Sequence, residues 1–342
     1  MKADVTIGIP VYNSVDYIER TILSALSQTF TNIEYLIVDD CGNDGTMDKL
    51  YYIQRTHQRG KAIRFLHNLN NKGVGCCRNR IIDEAQGRYL YFMDSDDYIE
   101  PDTIEILFHA LQQHQCQIAY ASYDIIDLLD NNSKKEYIKE QCVLNHKGAL
   151  AYYAFKNMSV FHVSVCNSLV DLEFLRCSGT RFLNFQYWED MAYTYDLVTK
   201  VDCAVLLPSI TYHYLRRPGS LSHYQKRNVI AKEEITNNLK VIQLLKDKCS
   251  VSNKEEYTPF MCFNIELICF HMVSHILRHM EQIIPKYTYR ELRKIMLHPF
   301  SFVDIMRFRS KRYGNLLMYL LGKMPVCLFI QCVKMLCVIK KI

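Results

Sequence analysis

Clustered acids mark three places in this chain, and each closes or opens an element. Residues 89–93, Tyr-Leu-Tyr-Phe-Met, read as a short buried strand that ends at once in Asp94, Ser95, Asp96 and Asp97. Carboxylates this close repel unless a cation or water holds them apart. At the carboxyl end of a strand in an α/β domain, a hard divalent metal suits them. Magnesium takes few protein carboxylates and completes its shell with water and phosphate oxygens. Asp94-Ser95-Asp96 is therefore a candidate diphosphate clamp, and a solvated turn whose acids cap a helix is the plain structural alternative. Asp39-Asp40 close a second apolar run, and Glu189-Asp190 follow the single tryptophan, Trp188. Arg216 and Arg217 head a loop with turn residues, Pro218-Gly219-Ser220-Leu221-Ser222. An arginine fork suits phosphate.

The elements that must position these groups alternate. Val5, Ile7, Ile9 and Val11 are spaced as in a strand, and Pro10 sits near its end, where a missing N–H is tolerable. A helix follows over about residues 15–28, then a strand at 33–38, a helix carrying Met47, Leu50 and Ile53, a strand at 62–66 and a helix reaching Ala85. Beyond the strand at 89–93, Pro101 opens another helix and 118–123 reads as a strand. Such alternation predicts a largely parallel sheet covered by helices, with ligands bound beyond the carboxyl ends of the strands. Residues 124–140 are polar and read as an exposed excursion or hairpin, 148–156 as a helix, 160–170 as β-like, and 188–200 as an amphipathic helix. Apolar runs at 205–207 and 210–214 lead into the basic loop. From about residue 225 helical patterns dominate, over 230–246, 259–284 and 289–297, so a boundary is placed near Tyr224.

Totals set bounds on the rest. The 342 residues suffice for one large domain plus an appendage or for two domains, and 49% apolar content supplies a core. The 14 cysteines contain no CxxC pair, and several lie in apolar helical stretches, which predicts buried thiols and a reducing cytoplasm rather than a disulfide framework. No amino-terminal apolar stretch reads as a signal peptide, and no run is long and unbroken enough to read as a membrane span. Nucleic acid is not an expected partner, because residues 1–220 show no basic patch interleaved with aromatics. His271, His275 and His279 share a helical stripe, read as a polar face rather than a metal site.

The ordered motifs Ile9-Pro10-Val11-Tyr12-Asn13, Val38-Asp39-Asp40, Asp44-Gly45-Thr46, Gly73 to Arg78-Asn79, Asp94-Ser95-Asp96-Asp97 with Pro101-Asp102, Glu189-Asp190 and Arg217-Pro218-Gly219-Ser220 resemble glycosyltransferase family 2 of the non-processive, bacterial type. The resemblance covers roughly residues 4–222, with Cys41 and Cys76-Cys77 as departures. It implies a GT-A fold for residues 1–224, with a nucleotide-sugar half (1–123) and an acceptor half (124–224), followed by a helical region at 225–342. It implies an inverting, metal-dependent hexosyltransferase that moves a sugar from a UDP-sugar to a saccharide or lipid-linked saccharide in surface polysaccharide synthesis. In its terms Pro10, Tyr12, Asn13, Asp40, Arg78, Asp94, Ser95, Arg217 and Ser220 bind the donor. Tyr12 stacks on the base, a contact of roughly 1–3 kcal/mol in comparable cases, and Asp40 accepts from it. Asp39 is a structural neighbour, and Lys72 and Arg78 face the diphosphate or the sugars. Asp96, with Asp94, holds Mn2+ or Mg2+. Asp190 is the general base and Glu189 its rival.

Rival readings are a nucleotidyltransferase making a sugar nucleotide and a non-catalytic nucleotide-sugar-binding module. The first is expected to carry a Gly-rich basic loop after the first strand, where Val11-Tyr12-Asn13 stands. A processive synthase is expected to carry a Gln-x-x-Arg-Trp motif, which Trp188 does not form. From residue 305 to 342 there are eight basic residues and no acidic one, among broken apolar runs. That pattern predicts amphipathic helices on an anionic membrane surface, at the inner face of the membrane, or helices docked on the catalytic domain or a second subunit.

Overall fold

The computed structural model describes residues 3–130, 133–158, 161, 164–185, 188–217 and 229–339. The chain divides into two units, Met1–Ala151 with Asn157–His223, and Tyr152–Lys156 with Tyr224–Ile342.

The first unit is built on one mixed sheet. β1 (Val5–Val11) lies between β2 (Ile33–Asp39) and β4 (Tyr89–Phe92), parallel to both, and β3 (Ile63–His67) extends the parallel set beyond β2. All seven residues of β1 and of β2 are buried, as expected of strands covered on both faces. The covering helices are α1 (Ile18–Leu26), α2 (Thr46–Thr56), α3 (Val74–Glu84) and α4 (Thr103–His114). Glycine permits one close approach: a Cβ on Gly8 would lie 2.4 Å from Cγ2 of Ile81, so α3 packs directly on β1.

On the other side of β4 the sheet changes sense. β9 (Ser168–Asp171) pairs antiparallel with both β4 and β6 (Ile118–Asp127). β10 (Ala204–Arg216) then runs parallel to β6, and β5 (Tyr98–Ile99) pairs antiparallel with β10. β7 (Ser133–Tyr137) forms a hairpin with β6, and β8 (Cys142–Leu144) pairs with β10. α6 (Leu172–Cys177) and α7 (Glu189–Val198) complete the unit, and α5 (Ala149–Lys156) passes from the first unit into the second at Tyr152.

Several sequence expectations are revised. The two apolar runs near residue 210 belong to one 13-residue strand, interrupted by register shifts between Leu206 and Tyr212. Of the β-like stretch 160–170, Ser168, Leu169 and Val170 are in the strand, while residues 160, 162 and 163 fall outside the described ones. Cys116 and Cys203 are joined as a disulfide, where only free thiols were expected. They precede Ile118 and Ala204, which are partners in the β6–β10 register.

The second unit contains α8 (Lys232–Val251), α9 (Thr258–Arg278), α10 (Tyr289–Ile295), α11 (Phe302–Met306), α12 (Arg312–Lys323) and α13 (Val326–Ile339). The helix expected to reach residue 284 stops at Arg278, and Ile283–Ile284 forms β12, paired with β11 (Ile230–Ala231). α9 is long and apolar enough to cross a membrane, but 61% of its most apolar window is buried within the chain, and Glu266 inside it is fully buried.

Candidate active site

The carboxyl ends of β1, β2 and β4 and the start of α7 carry the acids and the residues around them. Asp94 to Asp97 form the connection between β4 and β5. Asp97 is fully buried: Tyr212 Oη donates to its Oδ2 at 2.6 Å and the Leu215 amide to its Oδ1 at 2.9 Å. The Asp94 amide donates to the same Tyr212 hydroxyl at 3.3 Å. Strand β10 thus fixes the acid loop from below. On the other side Thr21 Oγ1 meets the Asp97 carbonyl at 2.7 Å, and Ser95 Oγ meets Ser14 Oγ at 2.7 Å. Burial and the neighbouring carboxylates hold the Asp97 carboxyl well above its usual range.

Arg78, on α3, joins the two halves of the site. Its guanidinium is buried and donates to Asp94 Oδ1 at 2.8 Å, to Glu189 Oε1 at 3.2 Å and to Asp190 Oδ1. It lies over the Phe182 ring, 5.4 Å from the centroid, and Phe182 stacks on Tyr193 of α7. Gly75 lets the start of α3 approach this segment, since a Cβ there would sit 3.0 Å from the Leu183 carbonyl oxygen. Asp94 and Asp190 keep 28% and 29% of their side chains exposed, so both remain reachable, whereas Glu189 keeps 10%. Burial pushes the Asp190 carboxyl above the usual carboxylate range; Arg78 opposes this, and Glu189 and Asp94 add to it. Glu189 is raised by burial as well, against Arg78.

Asp96 accepts from Arg217 Nε at 2.7 Å, and the Arg217 guanidinium stacks 4.5 Å from the Tyr17 ring centroid. Burial, with the charge of Asp94, raises the Asp96 carboxyl, and Arg217 works against both. Among the described residues no three His, Cys, Asp or Glu side chains converge to hold a metal alone. Asp94 and Asp96 still fit a cation such as magnesium, which takes one or two carboxylates and fills its shell with water and phosphate. Such a cation would relieve the repulsion between them.

The remaining candidates are placed as follows. Pro10 is buried in β1, Tyr12 beyond it is half exposed, and Asn13 has φ 46° and accepts from the Asn43 amide at 2.9 Å. Asp40 is buried and holds the 68–73 loop, accepting from Asn68 Nδ2 (2.7 Å) and from the amides of Lys72 (2.9 Å) and Gly73 (2.8 Å). Asp39 meets His67 Nδ1 at 3.1 Å and the Gly42 amide at 3.1 Å. The Lys72 side chain is exposed. Arg216, expected beside the diphosphate, instead pairs with Asp127 Oδ2 at 3.0 Å, its register partner on β6. Pro218 to Ser222, with the candidate Ser220, lie outside the described residues. Sequence reasoning missed Phe182, Tyr212, Ser14 and Thr21, because their partners lie far along the chain. The His275 and His279 rings lie 4.6 Å apart, tilted by 43°, and burial takes the His275 pKa down to about 4.

Comparison with known proteins bears on this site. TuaG of Bacillus subtilis (strain 168), named for teichuronic acid biosynthesis, is 35% identical over 125 residues, covering 36% of this chain and about half (48%) of its own length. The UDP-Glc:α-D-GlcNAc-diphosphoundecaprenol β-1,3-glucosyltransferase WfaP of Escherichia coli is 27% identical over 237 residues, 69% of this chain and 86% of WfaP. In structure, S. aureus TarS 1–349 in complex with UDP-GlcNAc superimposes with a TM-score of 0.58 at 17% identity, covering 94% of this chain and 90% of that one, so the fold is shared. The family model described as Glycosyl transferase family 2 matches residues 6–179, just over half of the sequence, and the chain belongs to that family.

Proposed function

We propose that this chain transfers a sugar, with inversion, from a UDP-sugar to a saccharide carried on a lipid in surface polysaccharide synthesis. The observation that carries the reading is Arg78, whose one guanidinium touches Asp94 on the donor side and Asp190 and Glu189 on α7. In this reading the half-exposed Tyr12 ring stacks on the base, Pro10 and Asn13 shape the turn beside it, and Asp40 sets the wall of the base pocket by holding the 68–73 loop. Ser95 and Arg217, with Ser220, take the diphosphate. Mg2+ or Mn2+ held by Asp96 and Asp94 would neutralise the charge that develops on the leaving nucleoside diphosphate. Asp190 removes the proton of the acceptor hydroxyl as its oxygen bonds to the anomeric carbon and the bond to the diphosphate breaks. A raised carboxyl serves this role, because a base works best with a pKa near the operating pH. Arg78 orients that carboxylate.

The donor and acceptor classes rest on likeness: WfaP is named for UDP-Glc and a diphosphoundecaprenol-linked sugar, and TarS was solved with UDP-GlcNAc. The test is UDP release from a panel of UDP-sugars, with and without a diphospholipid-linked saccharide and divalent metal. The reading expects release that needs donor, acceptor and metal together. Pyrophosphate release as a nucleotide sugar forms from a nucleoside triphosphate and a sugar 1-phosphate would replace it by a nucleotidyltransferase, and tight donor binding without turnover by a binding module.

A further inference from the structure

Helix α12 turns an apolar face to water. Tyr313, Leu317 and Leu320 stand at i, i+4 and i+7 on one side and are 80%, 58% and 47% exposed. Asn315, Met318, Leu321 and Gly322 are buried on the opposite side. A helix on a protein surface ordinarily presents polar residues outward once its apolar stripe is packed. Here packing uses one stripe and a second is left over. The patch continues onto α11, where Phe302, Val303 and Met306 are exposed and the Phe302 ring lies 6.3 Å from that of Tyr319. On α13 Leu328 and Met335 are exposed too.

Charge decides what covers this face. Arg307, Arg309, Lys311, Lys323 and Lys334 are exposed within the same segment, against one acid on α11, Asp304, which lies 3.9 Å from Arg307, and none from residue 305 to 342. A second copy docking through the same face would set these cations against their own images, because a two-fold contact brings identical patches together. An anionic bilayer surface offers negative headgroups to the cations and an acyl boundary to the Tyr, Leu, Phe and Met side chains. We infer that α11, α12 and α13 form a peripheral membrane-binding face that takes anionic phospholipid. The inference deepens the lipid-linked acceptor reading, although the exposed stripe stands as an observation without it.

The test is co-sedimentation of the full chain with phosphatidylcholine vesicles, with and without phosphatidylglycerol. One variant carries Leu317→Gln and Leu320→Gln, and a second carries Arg309→Glu and Lys323→Glu. All four positions are exposed, so circular dichroism and the urea midpoint should match the parent. The parent should sediment with the anionic vesicles alone and lose partition as salt rises. The charge reversals should lower partition by more than about tenfold, and the glutamine pair should lower it further at high salt. Transfer to a short water-soluble acceptor should be unchanged in both variants, which keeps failure of this inference apart from failure of the transferase reading. Absence of parental sedimentation would overturn it, as would equal partition of parent and both variants. A glutamine pair that turns a parental dimer into a monomer without altering partition would assign the face to self-association instead.

Discussion

Arg78 and Lys246 are both buried cations, and their surroundings differ. Lys246, in the second unit, lies 2.9 Å from Glu266 Oε1 and donates to the carbonyls of Ile295 and Leu297. One positive charge meets one negative charge, and backbone acceptors use the remaining donors. Arg78 meets three carboxylates from two other segments, Asp94, Glu189 and Asp190, Arg217 meets Asp96, and Asp97 beside them is held by Tyr212 and the Leu215 amide. Two guanidiniums against five carboxyl groups leave an acid surplus: burial first, and neighbouring carboxylates after it, raise Asp96, Asp97, Glu189 and Asp190, whereas burial alone raises Glu266, against Lys246. A balanced pair serves packing. An unbalanced cluster with reachable carboxylates suits something that arrives from solution, which we propose is a cation and a diphosphate.

The comparison is broken most forcefully at Arg78. Arg78→Met should abolish transfer and destabilise the fold, by at most about 3–5 kcal/mol because Asp94 and Asp190 stay partly exposed, since these two and the buried Glu189 lose their only buried guanidinium partner among the described residues. The balanced pair should behave otherwise. Lys246→Met combined with Glu266→Leu replaces a buried ion pair by apolar volume, a change that is often near neutral, so transfer rates should stay parental. Urea midpoints and initial rates read both. An Arg78 variant with parental stability and rate would reduce the acid cluster to ordinary packing.

Asp96 comes next. In the Asp96→Asn variant Mn2+ should no longer strengthen UDP binding, as read by titration calorimetry with and without metal. An undiminished metal effect would remove Asp96 from the ligand set. A smaller effect is expected at Tyr212, whose hydroxyl ties Asp97 and the Asp94 amide to β10. Tyr212→Phe should cost about 1–3 kcal/mol through the unsatisfied buried carboxyl and raise the Mn2+ concentration needed for half-maximal rate. Stability loss with an unchanged metal requirement would make Tyr212 a packing residue alone.

What the sequence disclosed follows from what is local in it. Strands β2 and β4 were legible because buried parallel strands are continuous apolar runs, β1 through its spacing of Val and Ile, and acids close β2 and β4. Asp94, Asp96 and Asp190 were legible as a set through motif order. The link between them was not: Arg78 reaches Asp190 across 112 positions and Tyr212 reaches Asp97 across 115. Arg216 was misplaced for a related reason, since only the β6–β10 register brings it to Asp127. The same register sets Cys116 beside Cys203, 87 positions on, and no local spacing announces it. The four-residue β9, inserted against its neighbours, is too short for its direction to be read from pattern.

Asp190→Asn tests the central claim most directly, with transfer rate across pH and UDP-sugar affinity measured on the same preparation. The parent rate should climb as pH rises above the range of a free carboxylate, because the base acts in its ionised form and its pKa is raised in the fold. The variant should lose about 10²–10⁴-fold in rate and that climb with it, while donor affinity stays near parental because the proposed donor contacts lie elsewhere. A variant that binds donor normally and transfers at near-parental rate, with the same pH dependence, would contradict the account and pass the role of base to Glu189.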